Sequence, residues 1–351
     1  MKKHIFAIAA ITALSAPTFA QSSVTLYGVA DVGIATASNR DGKRWTGQDS
    51  GRLQSSRFGL RGSEDLGDGL RANFTFESGL NLTTGASASS AVFFNRQAFM
   101  GLSSNTTGSL TMGRQYTPIY DQLILLSGAP TFGVAGGAVD GIAPGANAAA
   151  RFDNTIGGTR IDSSFKYTSP VFAGGFKANA MLALDEGSTR GKFQSAGLGY
   201  ANGPVTLGLI YHKSDCLKSA PCSTTKANDE LVGLGGGYKF DAARLGVIYT
   251  SQKNAKNVRS NDANVFSILV TVPTGLWELS AGYQTLNDKT ALNQDIRQVN
   301  LGGVYYLSKR TSVYSSYTTQ KVDNGGKAGM ALMNSSNGKQ NQLSMGLRHL
   351  F

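Results

Sequence analysis

The feature that most restricts this chain is a period-two alternation that recurs from segment to segment and is broken each time by turn residues. In VTLYGVADVGI, Val24, Leu26, Gly28, Ala30, Val32 and Ile34 share one face, and Thr25, Tyr27, Val29, Asp31 and Gly33 share the other. Around the connection GSEDLGDG, Phe58 and Leu60 oppose Arg57, Gly59 and Arg61, while Leu70, Ala72, Phe74 and Phe76 oppose Arg71, Asn73, Thr75 and Glu77. Alternation alone does not say which face is wet, because a soluble sandwich turns its apolar face inward and a membrane barrel turns it outward. The number of strands and the way the chain ends have to decide.

Sixteen such segments can be traced, roughly 23–34, 52–63, 69–80, 92–103, 108–115, 160–168, 174–184 and 192–201, then 204–213, 229–239, 242–252, 263–272, 275–286, 297–306, 310–320 and 341–351. The number is even. EDLGDG, NTT, SPVFAGG, NG, FDA, PTG and LSK are short links, and the alternate connections are longer and richer in Gly, Ser, Asn and Asp. Short turns at one rim and long loops at the other describe an outer-membrane barrel. The last segment, QLSMGLRHLF, puts Leu343, Met345, Leu347, His349 and Phe351 on one face and can close the sheet against the first strand. Beyond the first twenty residues no apolar run approaches the ~20 residues a membrane-spanning helix needs, so a helical membrane protein is excluded. The expected fold is an all-β, transmembrane, antiparallel 16-stranded barrel.

Residues 1–20 read as a signal peptide: Lys2 and Lys3, an apolar run from Ile5 to Leu14, and small residues ending in Thr18-Phe19-Ala20. Residues 21–351 then form the barrel, in the outer membrane. The formal charge of +11 falls to +9 without Lys2 and Lys3. An export signal and bases spread one or two per segment argue against nucleic acid as a partner and for a distributed field on a channel wall. Cys216 and Cys222 lie in the polar stretch HKSDCLKSAPCSTTKAND, and an exported chain meets oxidising conditions, so they are expected to form a disulfide closing a surface loop. Zinc would need four ligands at suitable spacing, and there is no second cysteine pair to supply them.

The segments SSVTLYGVADVGI, SRFGLRGSEDLGDGLRANFTFESG, FNRQAFMGLSS with TMGRQYTPIYD, RIDSSFKYTSPVFAGGF and the ending GLRHLF resemble the trimeric general porins of Gram-negative outer membranes nearly end to end. The resemblance implies a sixteen-stranded barrel, a homotrimer, outer-membrane lipid and lipopolysaccharide as surroundings, and a long third loop folded into the lumen. It also implies that the terminal Phe351 serves as the signal for the barrel-assembly machinery. The long loop runs here from about Tyr116 to Thr159 with almost no charge; a mobile surface loop is the alternative.

Fixed charges at a narrow point bias which ions pass, because low-dielectric walls focus the field. Arg57 faces the lumen by parity and matches the family's constriction arginine in SRFG; Arg96 matches the one in NRQAF, although its parity is shared with Ala98, Met100 and Leu102. The third arginine is Arg151 or Arg160, the spacing to Tyr167, Ser169 and Pro170 favouring Arg160, and Lys166 adds a charge to the same wall. For the acidic side of the constriction, Asp121 and Asp140 lie in the long loop and are expected to oppose this ladder, with Glu77 on the lumenal face of its strand. Ala129-Pro130-Thr131-Phe132-Gly133 stands where some relatives carry an acidic Pro-Glu-Phe-Gly stretch, which leans the expectation toward a weak anion preference. Arg114 shares a face with Leu110 and Met112, and a lipid-facing Arg costs about 2–4 kcal/mol near the midplane, so it belongs at a subunit interface or near the headgroups.

The expected function is passive diffusion of small hydrophilic solutes and ions, with no cofactor. The rivals are an adhesin or receptor barrel and a substrate-specific channel with a lumenal aromatic track. Catalysis has little to draw on: beyond the leader the histidines are His212 and His349, and there is no nucleophile elbow, HExxH or Walker loop. Gly233, Gly235, Gly236 and Gly237 lie in an alternating segment and read as close strand packing.

Overall fold

The computed structural model describes residues 23–124, 160–185, 191–217, 219–330 and 333–351. The first strands are β1 (Ser23–Arg40), β2 (Lys43–Ser50), β3 (Arg57–Gly67), β4 (Leu70–Gly79), β5 (Gln97–Ser104) and β6 (Gly108–Tyr116). A π-helical turn, Tyr120–Ile124, follows β6. Next come β7 (Arg160–Thr168), β8 (Phe176–Ala183), β9 (Phe193–Asn202), β10 (Val205–Ser214), β11 (Asp229–Lys239) and β12 (Arg244–Lys253). The remainder are β13 (Ala263–Thr274), β14 (Trp277–Asp288), β15 (Ile296–Tyr306), β16 (Thr311–Val322), the two-residue pieces β17 (Gly329–Met330) and β18 (Met333–Asn334), and β19 (Lys339–Leu350).

Every pairing is antiparallel and the sheet closes on itself. One edge of β1 pairs with β19 from Val29↔Leu350 to Ala37↔Gln342. The other edge takes β2 along its upper half and β3 along its lower half, from Ser23↔Ser63 to Val29↔Arg57. Since β2 and β3 run the same way against successive halves of β1, they make one interrupted strand, and the seventeen hydrogen-bonded strands form a sixteen-stranded barrel. Phe351 completes the ladder, its N–H donating to Gly28 O at 3.2 Å and its carbonyl accepting from Gly28 N at 3.0 Å.

Exposure settles which face is wet. Leu343, Met345 and Leu347 are 42%, 53% and 45% exposed, whereas Gln342 and Ser344, on the alternate positions, are 5% and 3%. The apolar parity faces outward on every long strand, the arrangement a bilayer demands and water forbids. Aromatic pairs ring the short-turn rim: Tyr238 with Phe240, Trp277 with Tyr305, and Phe176 with Tyr200, at 4.5–4.9 Å between ring centroids. Amphipathic rings at that depth mark the membrane–water interface.

The second strand departs from expectation. Residues 52–56 are not extended, and KRWTGQDS, which shows no alternation, forms β2. The interruption wraps a buried Asp31 on β1. Asp31 Oδ2 accepts from Gln54 N at 2.7 Å, and its carbonyl accepts from Gly51 N at 2.9 Å and Ser56 Oγ at 2.8 Å. Oδ1 accepts from the Tyr314 hydroxyl at 2.7 Å, although Tyr314 sits on β16, with β19 between. The ring passes over Gly346 of β19, where a Cβ would lie 2.5 Å from the hydroxyl. Tyr314→Phe removes the donor to a buried carboxylate and is expected to lower stability by about 1–3 kcal/mol, read as a fall in the thermal unfolding midpoint of the detergent-solubilised barrel. An unchanged midpoint would show that the bond carries no stability.

Candidate pore constriction

Arg57 opens β3 on the lumenal parity, and its Nε lies 3.2 Å from Glu77 Oε2 on β4. Arg96 stands just before β5, so the outward parity of Met100 and Leu102 does not bind it; its Nε donates to Glu77 Oε1 at 2.7 Å. Glu77 also accepts from the Tyr27 hydroxyl at 3.1 Å. The other end of Arg96 donates to the Tyr116 hydroxyl at 3.1 Å, and Arg160, first residue of β7, donates to the same hydroxyl at 2.7 Å. The Arg160 guanidinium also lies 4.4 Å from the centre of the Tyr116 ring, a cation–π contact.

The result is one chain of contacts across β3 to β7: Arg57, Glu77, Arg96, Tyr116, Arg160. Arg57 and Arg96 share the Glu77 carboxylate and Arg160 is held by Tyr116, so three guanidiniums stand against one carboxylate and this wall is left positive. Glu77, on the inner face of β4, therefore lies inside the basic wall and pairs with it. Asp121 behaves alike, its Oδ2 2.7 Å from Lys166 Nζ on β7 and 3.3 Å from Asn179 Nδ2 on β8. Lys166 donates as well to the Tyr116 carbonyl at 2.9 Å. Beside this pair lies a cavity of about 610 Å³ bounded by Lys166, Lys177, Asp121, Asn179, Gln97 and Gln115.

The long loop begins on the inner side of the wall. Tyr116 and Tyr120 stack at 3.9 Å with planes 9° apart. Ile119 is fully buried against inward-facing Ile210, Leu231 and Ile248 on β10 to β12. Room for this turn comes from Gly197 on β9, where a Cβ would meet Pro118 Cβ at 3.2 Å and Gln122 Cγ at 3.0 Å. The rest of the expected inward loop, with Asp140 and Arg151, lies outside the described residues.

Parity also places on the inner wall two arginines outside this chain of contacts. Arg61 lies over the Tyr27 ring at 5.2 Å, and Arg348, between outward Leu347 and His349, reaches Gln54 at 3.4 Å. Both were readable from their strands' alternation. Arg52, paired with Asp49, was hidden because its segment does not alternate. Arg114 is on the outer wall, bonded within its own chain to Asn95 O at 2.8 Å and to Asp162 on β7 at 2.5 Å. His349 contacts Thr311 Oγ1 at 2.9 Å on the outer face, and His212 is buried 5.2 Å from the Phe193 ring. Cys216 and Cys222 are joined in a disulfide, and Cys216 N donates to Asn228 Oδ1 at 2.9 Å.

A family model described as Gram-negative porin matches residues 7–325. Outer membrane porin protein 32 of Delftia acidovorans is 31% identical with all of both chains covered. The chain belongs to the Gram-negative porin family. An outer-membrane porin of Bordetella pertussis is 30% identical over 90% of this porin and 93% of the relative. Among solved structures, an anion-selective porin from Comamonas acidovorans superposes with a TM-score of 0.76 at 27% identity, covering 94% of this chain and 100% of that one. The porin is a diffusion channel of the cell outer membrane, and its inward polar face is the wall of the passage. Replacing Ile119 by Asp puts an uncompensated charge into an apolar seat and is expected to unseat the loop's first turn. Planar-bilayer recordings should then show noisier openings of higher conductance; traces identical to the parent's would mean that this contact does not hold the loop.

Proposed function

We propose that this porin, freed of residues 1–20, works as a homotrimer in which each barrel passes small hydrophilic solutes with a weak preference for anions. The chain Arg57–Glu77–Arg96–Tyr116–Arg160 carries the reading. Its guanidiniums are clamped by neighbours, so their positions do not drift when an ion passes, and their three charges outweigh the single carboxylate that Arg57 and Arg96 share. Asp121 neutralises Lys166 and ties down the loop, leaving the net sign of the wall to the arginines. Asp140, on the long loop, is the remaining candidate acid. The similarity to an anion-selective porin supports the same sign. The outward apolar faces adjoin outer-membrane lipid and lipopolysaccharide, and Phe351 is the residue the barrel-assembly machinery reads.

Recording in a planar bilayer under a salt gradient tests this, with the parent compared against a triple Arg57→Ser, Arg96→Ser, Arg160→Ser variant. The parent should open in three equal steps with a reversal potential on the anion side, and the variant should lose about half or more of that potential. Selectivity indifferent to the substitutions removes the site assignment. A parent without conductance overturns the channel reading in favour of an adhesive barrel.

A further inference from the structure

Four glutamines stand in one register row on the inner face of four successive strands: Gln284↔Gln298, Gln298↔Gln320 and Gln320↔Gln340. All are buried, at 1% exposure or less. Gln320 Nε2 donates to Gln298 Oε1 at 2.9 Å, and Gln298 Nε2 to Gln284 Oε1 at 3.4 Å, so the amides point one way along the wall. At the upper end of the row the acceptors are not used within it. Gln320 Oε1 accepts the backbone N–H of Gly329 at 2.8 Å, and Gln340 Oε1 accepts that of Met330 at 3.0 Å. Both donors belong to the connection between β16 and β19.

This connection therefore bends inward. Ala328 is fully buried in the same inner-wall cluster as Leu286, Ile296 and Val322, and Met330 is 1% exposed. Its returning arm is tied to the top of β1, where Asp41 N donates to Asn334 O at 2.9 Å and Asn39 Nδ2 to Ser336 Oγ at 3.0 Å. Gln340 Nε2 adds a bond to the Asn39 carbonyl at 2.6 Å. A connection at the long-loop rim has no need to enter the barrel to join adjacent strands, and burying backbone N–H groups there demands partners. The glutamine row supplies them.

We propose that Gln320 and Gln340 moor the last loop inside the mouth, and that the moored stretch Ala328–Met330, which carries no charge of its own, forms a second narrowing that limits the size of solutes without sorting them by charge. The proposal rests on the channel reading and adds to it a filter of different chemistry: amides and backbone in place of guanidiniums. Sieving by size and biasing by charge are then assigned to separate residues of one passage.

The test uses the full-length porin carrying Ala328→Cys, with or without Gln320→Leu and Gln340→Leu; the native cysteines are already paired with each other. A membrane-impermeant maleimide should leave Ala328→Cys unlabelled in the parent background and label it once both glutamines are replaced. Lys327→Cys, at an exposed neighbouring position, should label in both backgrounds and report an assembled barrel. In bilayers the double variant should conduct about twofold more and admit larger sugars in vesicle swelling, with its reversal potential unmoved. Labelling of Ala328→Cys in the parent background, or a double variant with unchanged labelling and unchanged conductance, overturns the proposal. A reversal potential that moves with the glutamines also overturns it, since the narrowing would then sort by charge. Failure of the channel reading itself appears as a silent bilayer with parent labelling intact, a distinguishable result.

Discussion

Inside a bilayer a backbone N–H or C=O without a protein partner has no water to turn to, and each such group costs several kcal/mol. For a sheet this leaves one solution, closure, and nearly every other property of the porin follows from where β1 meets β19. Pairing both edges of β1 fixes the sixteen-strand circumference, and the circumference fixes a lumen too wide for side chains alone to fill. What remains open must be narrowed by chain brought in from the loops. The charges that line the passage then act on what is left.

The inner wall is accordingly not uniformly polar. From β10 to β16 it carries Ile210, Leu231, Ile248, Val265, Leu286, Ile296 and Val322, an apolar strip in a place meant for water. Three connections each place a residue on it: Ile119 after β6, Ala255 after β12 and Ala328 after β16. The hydrophobic effect thus does inside the barrel what it does in a soluble core, but its role here is to hold loops against a wall. The arginines lie on the other side, from β3 to β7, where the wall is held by ion pairs and a shared tyrosine hydroxyl. One side of the passage anchors chain and the other anchors charge.

Much of this was legible in the sequence because a barrel leaves its parity on every strand. Arg57, Arg61 and Lys166 are placed on the inner face by their neighbours alone, and the same parity puts Arg348 there, between Leu347 and His349. The failures have physical causes. KRWTGQDS could not be read as a strand because no alternation marks it, so nothing in its pattern separates inside from outside. Residues 52–56 looked like strand because nothing local announces that they wrap the buried Asp31, a contact set by a residue some twenty positions earlier. Arg96 seemed to point outward only because parity was extended past the true start of β5 at Gln97. The role of Glu77 depended on which neighbours reach it, which alternation does not encode.

The bond between Tyr314 and Asp31 has a further meaning, in time. It joins β16 to β1 over the top of β19, so it cannot exist while β19 is still looking for its place: the two partners come within reach only after Gly346 lies between them. A contact of this kind stands at the end of the folding order whatever path the earlier strands take. It distinguishes a finished barrel from one that is merely full of strands, and it does so at the single junction where the first and last parts of the chain, made farthest apart in synthesis, have to recognise each other.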